Sequence, residues 1–379
     1  LSEKLERNLK KLYTKETYRT FFLYRSEGAK EMKKFLAVAA AALFAAAVFA
    51  GCSSGKAELA LVTDGGTVDD GSVNQGAWSG LVQYAEENGI SSKAYEPGEQ
   101  STEAYLASID LAVKNGAEVI ACPGATFAQA VVSAQESYPE VKFIAVDCAL
   151  EAPAQNALGI TYAEDQIGFL AGYAAVKEGY RNLGFLGGPL DDAAQKYGYG
   201  FIQGAEYAAR ELSLEPGSVS VCYQYDGGGE TASAWYADGV ECIFAADTAS
   251  ESAVMQAAET VGSAVIGVDA DRSSESETVL TSAVKGFSTS VYDTLADIDS
   301  GEFEGGRNVM FDAASNGVGL TIDTAHFKHF TQGDYDAVFT RLQTDADGIC
   351  SSLVNTATET GRVSDSGIVT TAVVVEEAE

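Results

Sequence analysis

Basic side chains are scarce in this chain: 24 lysines and arginines stand against 55 aspartates and glutamates, for a net charge of −31. Contact with phosphates needs clustered Lys and Arg, so nucleic acid and anionic lipid are excluded as partners of the folded part. Histidine is scarcer still, with only His326 and His329. A His-x-x-His pair without nearby cysteines is a weak metal signal. The six cysteines include no Cys-x-x-Cys pair. There is no G-x-x-x-x-G-K-[ST] loop and no nucleophile elbow, and Gly198-Tyr199-Gly200 with Gly204 misses the dinucleotide spacing. Neither a cofactor nor a metal is expected, and the chain is not expected to be an enzyme. A membrane-spanning helix is also lacking, because the apolar run 35–50 has 16 residues and about 20 are needed to cross.

That short run is nonetheless informative. Met32-Lys33-Lys34 precedes it, and Phe49-Ala50-Gly51-Cys52 follows it, before the polar Ser53-Ser54-Gly55-Lys56. A basic start, an apolar middle and small residues at a cleavage point form a secretory signal. With cysteine at that point, the stretch resembles a bacterial lipobox. The resemblance implies a thioether-linked diacylglycerol on Cys52, with acyl chains holding the protein on the outer face of the cell membrane. Residues 32–51 are thus assigned to a lipoprotein signal peptide. Residues 1–31 would bury such a signal inside the chain, so translation is expected to begin at Met32, with 1–31 a non-translated or mis-annotated extension.

From Cys52 onward 328 residues remain, enough for two domains. Taking away the 10 basic and 5 acidic side chains of residues 1–51 leaves 14 against 50, a net charge of −36. With 46% apolar residues the chain folds into a globule. Apart from Cys52, the cysteines are Cys122, Cys148, Cys222, Cys242 and Cys350. Cys122, Cys148 and Cys242 lie in or at the end of apolar runs and read as small core hydrophobes. A Cys122–Cys148 disulfide stays open.

Short apolar runs alternate with helical patterns. Strands are expected at 57–64, 117–124, 142–148, 156–162, 182–188, 218–226, 240–247 and 264–271. Helices are expected at 73–88, 102–115, 126–138, 164–179, 198–213, 230–239, 250–262 and 291–303. Strands that are apolar on both faces, alternating with helices, predict parallel sheets covered by helices. The fold class is therefore α/β, with two doubly wound parallel-sheet lobes joined by crossovers. Lobe 1 takes 57–181 and 288–330, lobe 2 takes 182–287, and 331–379 is unassigned.

In open parallel sheets ligands sit beyond the carboxyl ends of the strands. The expected strands end in Asp64, Asp147, Asp226, Asp247 and Asp269 with Asp271. Each aspartate alone can be a helix cap, worth about 1 kcal/mol, but together they line a cleft suited to hydroxyl and N–H donors rather than phosphate. After the first strand, Asp64-Gly65-Gly66 and Asp70-Gly71-Ser72-Val73-Asn74 lead into a helix whose positive end favours Asp70 and Ser72. Asn74 offers a donor and an acceptor there.

At this segment the chain resembles the basic membrane protein family of lipoproteins, which includes purine nucleoside receptors of ABC transporters. Its D-x-G-x-x-x-D-x-S-F-N-Q-x-x-W pattern is met by Asp64, Gly66, Asp70, Ser72, Asn74, Gln75 and Trp78. The likeness continues through EDQIGFLAGYAA, LGFLGG, YGYGFIQGAEYAA, YADGVECIF, VIGVDAD and LTSAVK, spanning roughly 57–330. It implies a type I periplasmic-binding-protein-like fold with a nucleoside between the lobes, its base between aromatic rings and its ribose on an aspartate and a lysine that match Asp269 and Lys285. It also implies an ABC permease as partner.

Two departures stand out. Val73 replaces the aromatic of the pattern, removing a stacking ring worth roughly 1–3 kcal/mol. Ala246-Asp247-Thr248-Ala249-Ser250 replaces a glycine-rich turn. Tyr225 and Phe127 are candidates for a replacement ring, and for wall packing equally. The expected ligand residues are Asp64, Asp70, Ser72, Asn74 and Asp147 on one lobe, and Tyr225, Asp247, Asp269 and Lys285 on the other. The alternatives are the same fold binding a sugar or another small polar ligand, as a sensor or surface lipoprotein without a permease, and a nucleoside hydrolase-like enzyme. The hydrolase's calcium loop is broken here by Val62 and by an Asp64-to-Asp69 spacing one residue too long.

Overall fold

The computed structural model describes residues 58–377. Cys52, the signal segment and residues 1–31 lie outside them. Among the described residues no helix is long and apolar enough to cross a membrane.

All eight expected strands form: β1 (Leu59–Val62), β3 (Val119–Pro123), β4 (Lys142–Val146), β5 (Ala157–Tyr162), β6 (Asn182–Leu186), β7 (Val219–Gln224), β8 (Cys242–Ala245) and β9 (Ala264–Asp269). Five more join them: β2 (Ser92–Tyr95), β10 (Val279–Lys285), β11 (Arg307–Phe311), β12 (Val318–Leu320) and β13 (Val373–Glu377). The first sheet, in the order β11-β5-β4-β3-β1-β2, is wholly parallel. The second has the order β12-β10-β9-β8-β6-β7-β13 and is parallel except for the β10–β12 pair.

The helices that flank the strands are α1 (Val73–Asn88), α2 (Thr102–Lys114), α3 (Ala128–Ser137), α4 (Glu164–Glu178), α5 (Asp192–Glu211), α6 (Gly229–Ala237), α7 (Thr248–Val261), α8 (Phe287–Ser300) and α9 (Gln332–Gln343). Helix α5 begins six residues before its expected start, because Asp191 caps it by accepting from the Ala194 amide. The short helices α10 (Ile349–Ser352) and α11 (Val363–Ser366) follow.

Alternation along β1 shows why the strands read as apolar runs. Ala60 and Val62 face a core shared with Tyr105, Ile109, Phe127 and Val131. Leu59 and Leu61 face a second core, which is continuous with the residues of α4 and α5 and with Phe185, Phe244 and Ile266 of the other sheet. The outer face of that sheet packs Ile243 and Val265 against Tyr236, Val254 and Met255. Burial of both faces forces an apolar residue at nearly every strand position.

The chain crosses between lobes three times, through α4, through α8, and between β11 and β12. Segment 288–330, expected with the first lobe, therefore divides: β11 adds to the first sheet and β12 to the second. A three-residue strand leaves too little periodicity to place it from sequence. The unassigned C-terminal segment reaches the second sheet, where β13 runs parallel to β7. Helix α4 lies against α5 at glycine contacts. A Cβ on Gly168 or Gly172 would fall 2.0 Å from the carbonyl oxygen of Tyr197 or Phe201. On Gly200 or Gly204 it would fall 2.0 Å from that of Asp165 or Phe169. Any side chain at these four positions would drive the two backbones apart.

All five described cysteines are free thiols, Cys122 and Cys148 among them. His326 directs Nδ1 at the Val279 carbonyl, 2.8 Å away. Two buried glutamates tie the C-terminal part down. Glu178 accepts from the amides of Lys328, His329 and Phe330 at 2.8–2.9 Å, and Glu206 from those of Thr371, Ala372 and Val373 at 2.9–3.0 Å.

Burial raises the Glu206 pKa, but the three amides and Arg210 outweigh it and hold the carboxyl below its usual range. A depressed carboxyl stabilises the fold above the unfolded-state pKa, and that contribution disappears as pH falls through the folded value. Glu206→Gln should therefore lower the melting temperature at neutral pH and flatten its decline under acid, as followed by circular dichroism. Parallel pH curves for the two proteins would contradict this.

Candidate functional site

Beyond β1 the chain folds back on itself through Asn74. Ser72 caps α1 by accepting from the Asn74 amide at 3.2 Å, which fixes the first turn. The Asn74 side chain is 1% exposed. Its Nδ2 donates to Asp64 Oδ1 at 2.7 Å and to Asp70 Oδ2 at 2.9 Å, and its Oδ1 accepts from the Asp64 amide at 3.2 Å. Asp70 Oδ1 accepts from the Ser72 amide at 2.9 Å and from the Ser72 hydroxyl. The structure thus joins Asp64, Asp70, Ser72 and Asn74 in one network, at the strand end where the sequence places them.

A second cluster spans both lobes. Asp147 follows β4 of the first sheet, and Lys285 ends β10 of the second. Lys285 Nζ donates to both Asp147 oxygens at 2.9 Å and lies 3.3 Å from Glu164 Oε1 in the first turn of α4. The rings of Tyr162 and Tyr197 stand on it, each 5.6 Å from the ammonium. Asp269 is brought alongside by the pairing of β9 with β10, which sets Val284 against Asp269. Its carboxylate accepts from Tyr197 Oη at 3.3 Å and Thr248 Oγ1 at 3.2 Å.

Asp147 and Asp269 share a backbone device. Their φ angles are +54° and +65°, and Asp226, after β7, has +51°. Few residues other than glycine adopt this left-handed conformation, and aspartate is among those that do. The aspartate pattern read from the sequence is therefore partly one of strand-end turns.

The electrostatics follow from burial. Lys285 is 8% exposed. Burial pulls its pKa down, but Asp147, Tyr197, Asp269 and Glu164 overcome that and hold the ammonium well above its usual value. Burial pushes the Asp147 carboxyl up, against the pull of Lys285 and with the push of Asp269. Glu164 is raised in the same way, by burial first, with Lys285 opposing and Asp147 adding. One cation thus serves several carboxylates, and the arrangement offers hydrogen-bond acceptors to a neutral, donor-rich ligand.

Two expected residues lie apart from this cluster. Asp247 caps α7, accepting from the amides of Ala249 at 3.4 Å and Ser250 at 3.0 Å. Tyr225 donates to the Gly361 carbonyl at 3.0 Å and lies 2.6 Å from Tyr223 Oη, beside a cavity of about 310 Å³ also lined by Thr360, Arg362 and Glu377. Phe127, the other candidate ring, is buried and stacked on Tyr105 at 4.1 Å, so it packs the core. Sequence reasoning missed Glu164, Tyr197 and Thr248. Glu164 was open to the rule used for the aspartates, since it stands one residue beyond β5, at a helix start. Tyr197 and Thr248 carried no such signal.

Lys285→Met would leave Asp147 and Glu164 without their cation, at an expected cost of about 3–5 kcal/mol. Both carboxyls would then sit still higher in the folded state. Stability held by a raised carboxyl is present below the unfolded-state pKa and lost as pH rises through the folded one. The defect should accordingly be smaller at acid than at alkaline pH in urea titrations, and Asp147→Asn on the same chain should relieve part of it. A pH-independent defect would contradict this account.

The model of a protein family described as "Bmp: ABC transporter substrate-binding protein PnrA-like" matches residues 57–340. Among curated proteins, the ABC transporter nucleoside-binding protein BmpA of Lactococcus lactis is 29% identical over 328 residues, covering 77% of this chain and 92% of its own. Basic membrane protein A1 of Borrelia garinii is 30% identical over 295 residues, covering 73% and 85%. Among solved structures, an ABC transporter solute-binding protein of Conexibacter woesei aligns with a TM-score of 0.63 at 20% identity, covering 76% of this chain and 96% of that one. A transcriptional activator of the comK gene from Bacillus halodurans reaches 0.62 at 19%, covering 80% and 98%. The two parallel-sheet lobes are of the periplasmic-binding-protein kind.

Proposed function

This chain belongs to the Bmp family of PnrA-like ABC transporter substrate-binding proteins, and from that premise we propose that it captures a nucleoside between its lobes. The observation that carries this reading is the placement of Asp269 and Lys285 at adjacent strand ends of one sheet, facing Asp147 of the other. A vicinal diol donates to a carboxylate and accepts from an ammonium, so a ribose suits the pair. The Asp64–Asp70–Asn74 network adds acceptors for the N–H groups of a base. A nucleoside-binding relative that the chain matches over 92% of its length supports the same ligand class.

The captured nucleoside is delivered to an ABC permease from the outer face of the cell membrane, where a lipid on Cys52 holds the protein. With Val73 in place of an aromatic and Phe127 sealed in the core, the base is held more by its polar edge than by stacking.

Isothermal titration calorimetry with adenosine, guanosine, inosine, uridine, cytidine and ribose tests the ligand class. Nucleosides should bind. Asp269→Ala should weaken them by about ten- to a hundredfold, the range for a lost hydrogen bond to a charged group. Silence from every nucleoside, with a response to a sugar, would overturn the assignment. For the anchor, Cys52→Ala expressed with its signal should move the protein from the membrane fraction to the soluble one; retention in the membrane would refute lipidation at Cys52.

A further inference from the structure

Apart from the Lys285 cluster, a second cation of the second lobe is buried where the lobes meet. Arg272 lies three residues after Asp269 and is 6% exposed. Its amide donates to Ser282 Oγ at 2.9 Å, which seats the turn on β10. Its Nε lies 2.9 Å from Glu251 Oε2, and its Nη1 donates to Glu275 Oε1 at 3.1 Å. Glu251, in the first turn of α7, is 2% exposed, and its other oxygen accepts from the Val268 amide at 2.7 Å. The pair lies flat on β9. A Cβ on Gly267 would come within 2.6 Å of Glu251 Oε1 and 2.8 Å of Arg272 Cγ.

The guanidinium does not end within its own lobe. A Cβ on Gly71, across the cleft, would stand 3.1 Å from Arg272 Nη1. Gly71 lies between Asp70 and the helix cap Ser72 with φ +69°, so both its conformation and its lack of a side chain serve this approach. Moreover, Arg272 Nε, though in ion-pair range of Glu251, and Nη2 are both buried without a hydrogen-bond partner among the described residues. A buried donor without an acceptor is unfavourable, and the five donors of a guanidinium exceed what the two glutamates of its own lobe take up.

We propose that Arg272 is a positioning residue for ligand capture: anchored by Glu251 and Glu275 in one lobe, its guanidinium abuts the Asp70–Gly71–Ser72 turn of the other. It thereby sets how closely that turn approaches the Asp269 strand end. The inference rests on the reading of the cleft as the ligand site, but it does not require the ligand to be a nucleoside. Lysine at this position keeps the charge yet lacks the fork, so it cannot hold the two glutamates and reach Gly71 together.

The test compares the full chain with Arg272→Lys and with the double variant Arg272→Met, Glu251→Gln, in which no buried charge of the pair is left alone. Hydrogen–deuterium exchange of the amides in 66–72 is the readout independent of ligand, and calorimetry with the nucleoside panel and ribose is the second. Faster exchange in that turn is expected in both variants. For whichever probe the wild type binds, affinity should fall about tenfold, the scale of a modest coupling between sites. Unchanged exchange in 66–72, or full affinity in the double variant, would overturn the proposal. A wild type that binds no nucleoside would refute the nucleoside assignment alone, leaving the exchange result to decide the role of Arg272.

Discussion

The Lys285 ammonium sits at a strand end of the second sheet and pairs with carboxylates that follow strands of the first. Asp147 arrives from the first sheet, Asp269 stands on the neighbouring strand of the second, and Glu164 comes from the helix that carries the chain between them. Buried charge is tolerated only when paired and hydrogen-bonded. The ends of β4 and β10 and the start of α4 are therefore constrained by this one group. Moving either sheet by a few ångströms would strand a carboxylate in a low-dielectric site. In the proposed function the same ammonium that links the lobes also donates to a ligand hydroxyl, which would make holding the lobes and binding the ligand one physical problem.

The aspartates at the strand ends solve that problem locally. At Asp147 and Asp269 a positive φ turns the chain sharply just past the strand. Glycine would make the same turn more easily but would supply no carboxylate, whereas aspartate supplies both, at the cost of some backbone strain. Strain of this kind is concentrated where a structure holds a group for function. Asp247 shows the contrast: its φ of −141° is extended, and its carboxylate goes to the amides of Ala249 and Ser250. A similar sequence context thus yields a cleft acceptor in one place and a helix cap in another.

Rigidity around the cleft comes from backbone contact as much as from side chains. Gly168 and Gly172 of α4 meet Gly200 and Gly204 of α5 so closely that a Cβ would enter the opposing helix backbone. This pins α4, and with it Glu164, relative to Tyr197 in the first turns of α5. The C-terminal segment is bound by the amide clusters on Glu178 and Glu206 and closes the far edge of the second sheet with β13. Its Gly361 carbonyl also takes the Tyr225 hydroxyl, drawing toward the edge a ring that the sequence offers to the ligand.

By itself, the sequence determined the alternation of buried strands with helices, because burial on both sheet faces leaves a near-continuous apolar run in the central strands β1, β3, β4, β8 and β9. It also determined the Asp64–Asn74 network, whose members lie within eleven residues and are joined by local hydrogen bonds. The weakly patterned elements were not legible. The edge strands β2 and β11 are half exposed, β12 is too short to show a period, and the N-terminal turn of α5 is set by its cap. Only the tertiary structure decided which aspartates face the cleft, that Glu164 and Tyr197 join Lys285, and that Arg272 reaches Gly71. Those contacts link residues more than 70 positions apart across two sheets, and no local propensity encodes a distance that three crossings of the chain must close.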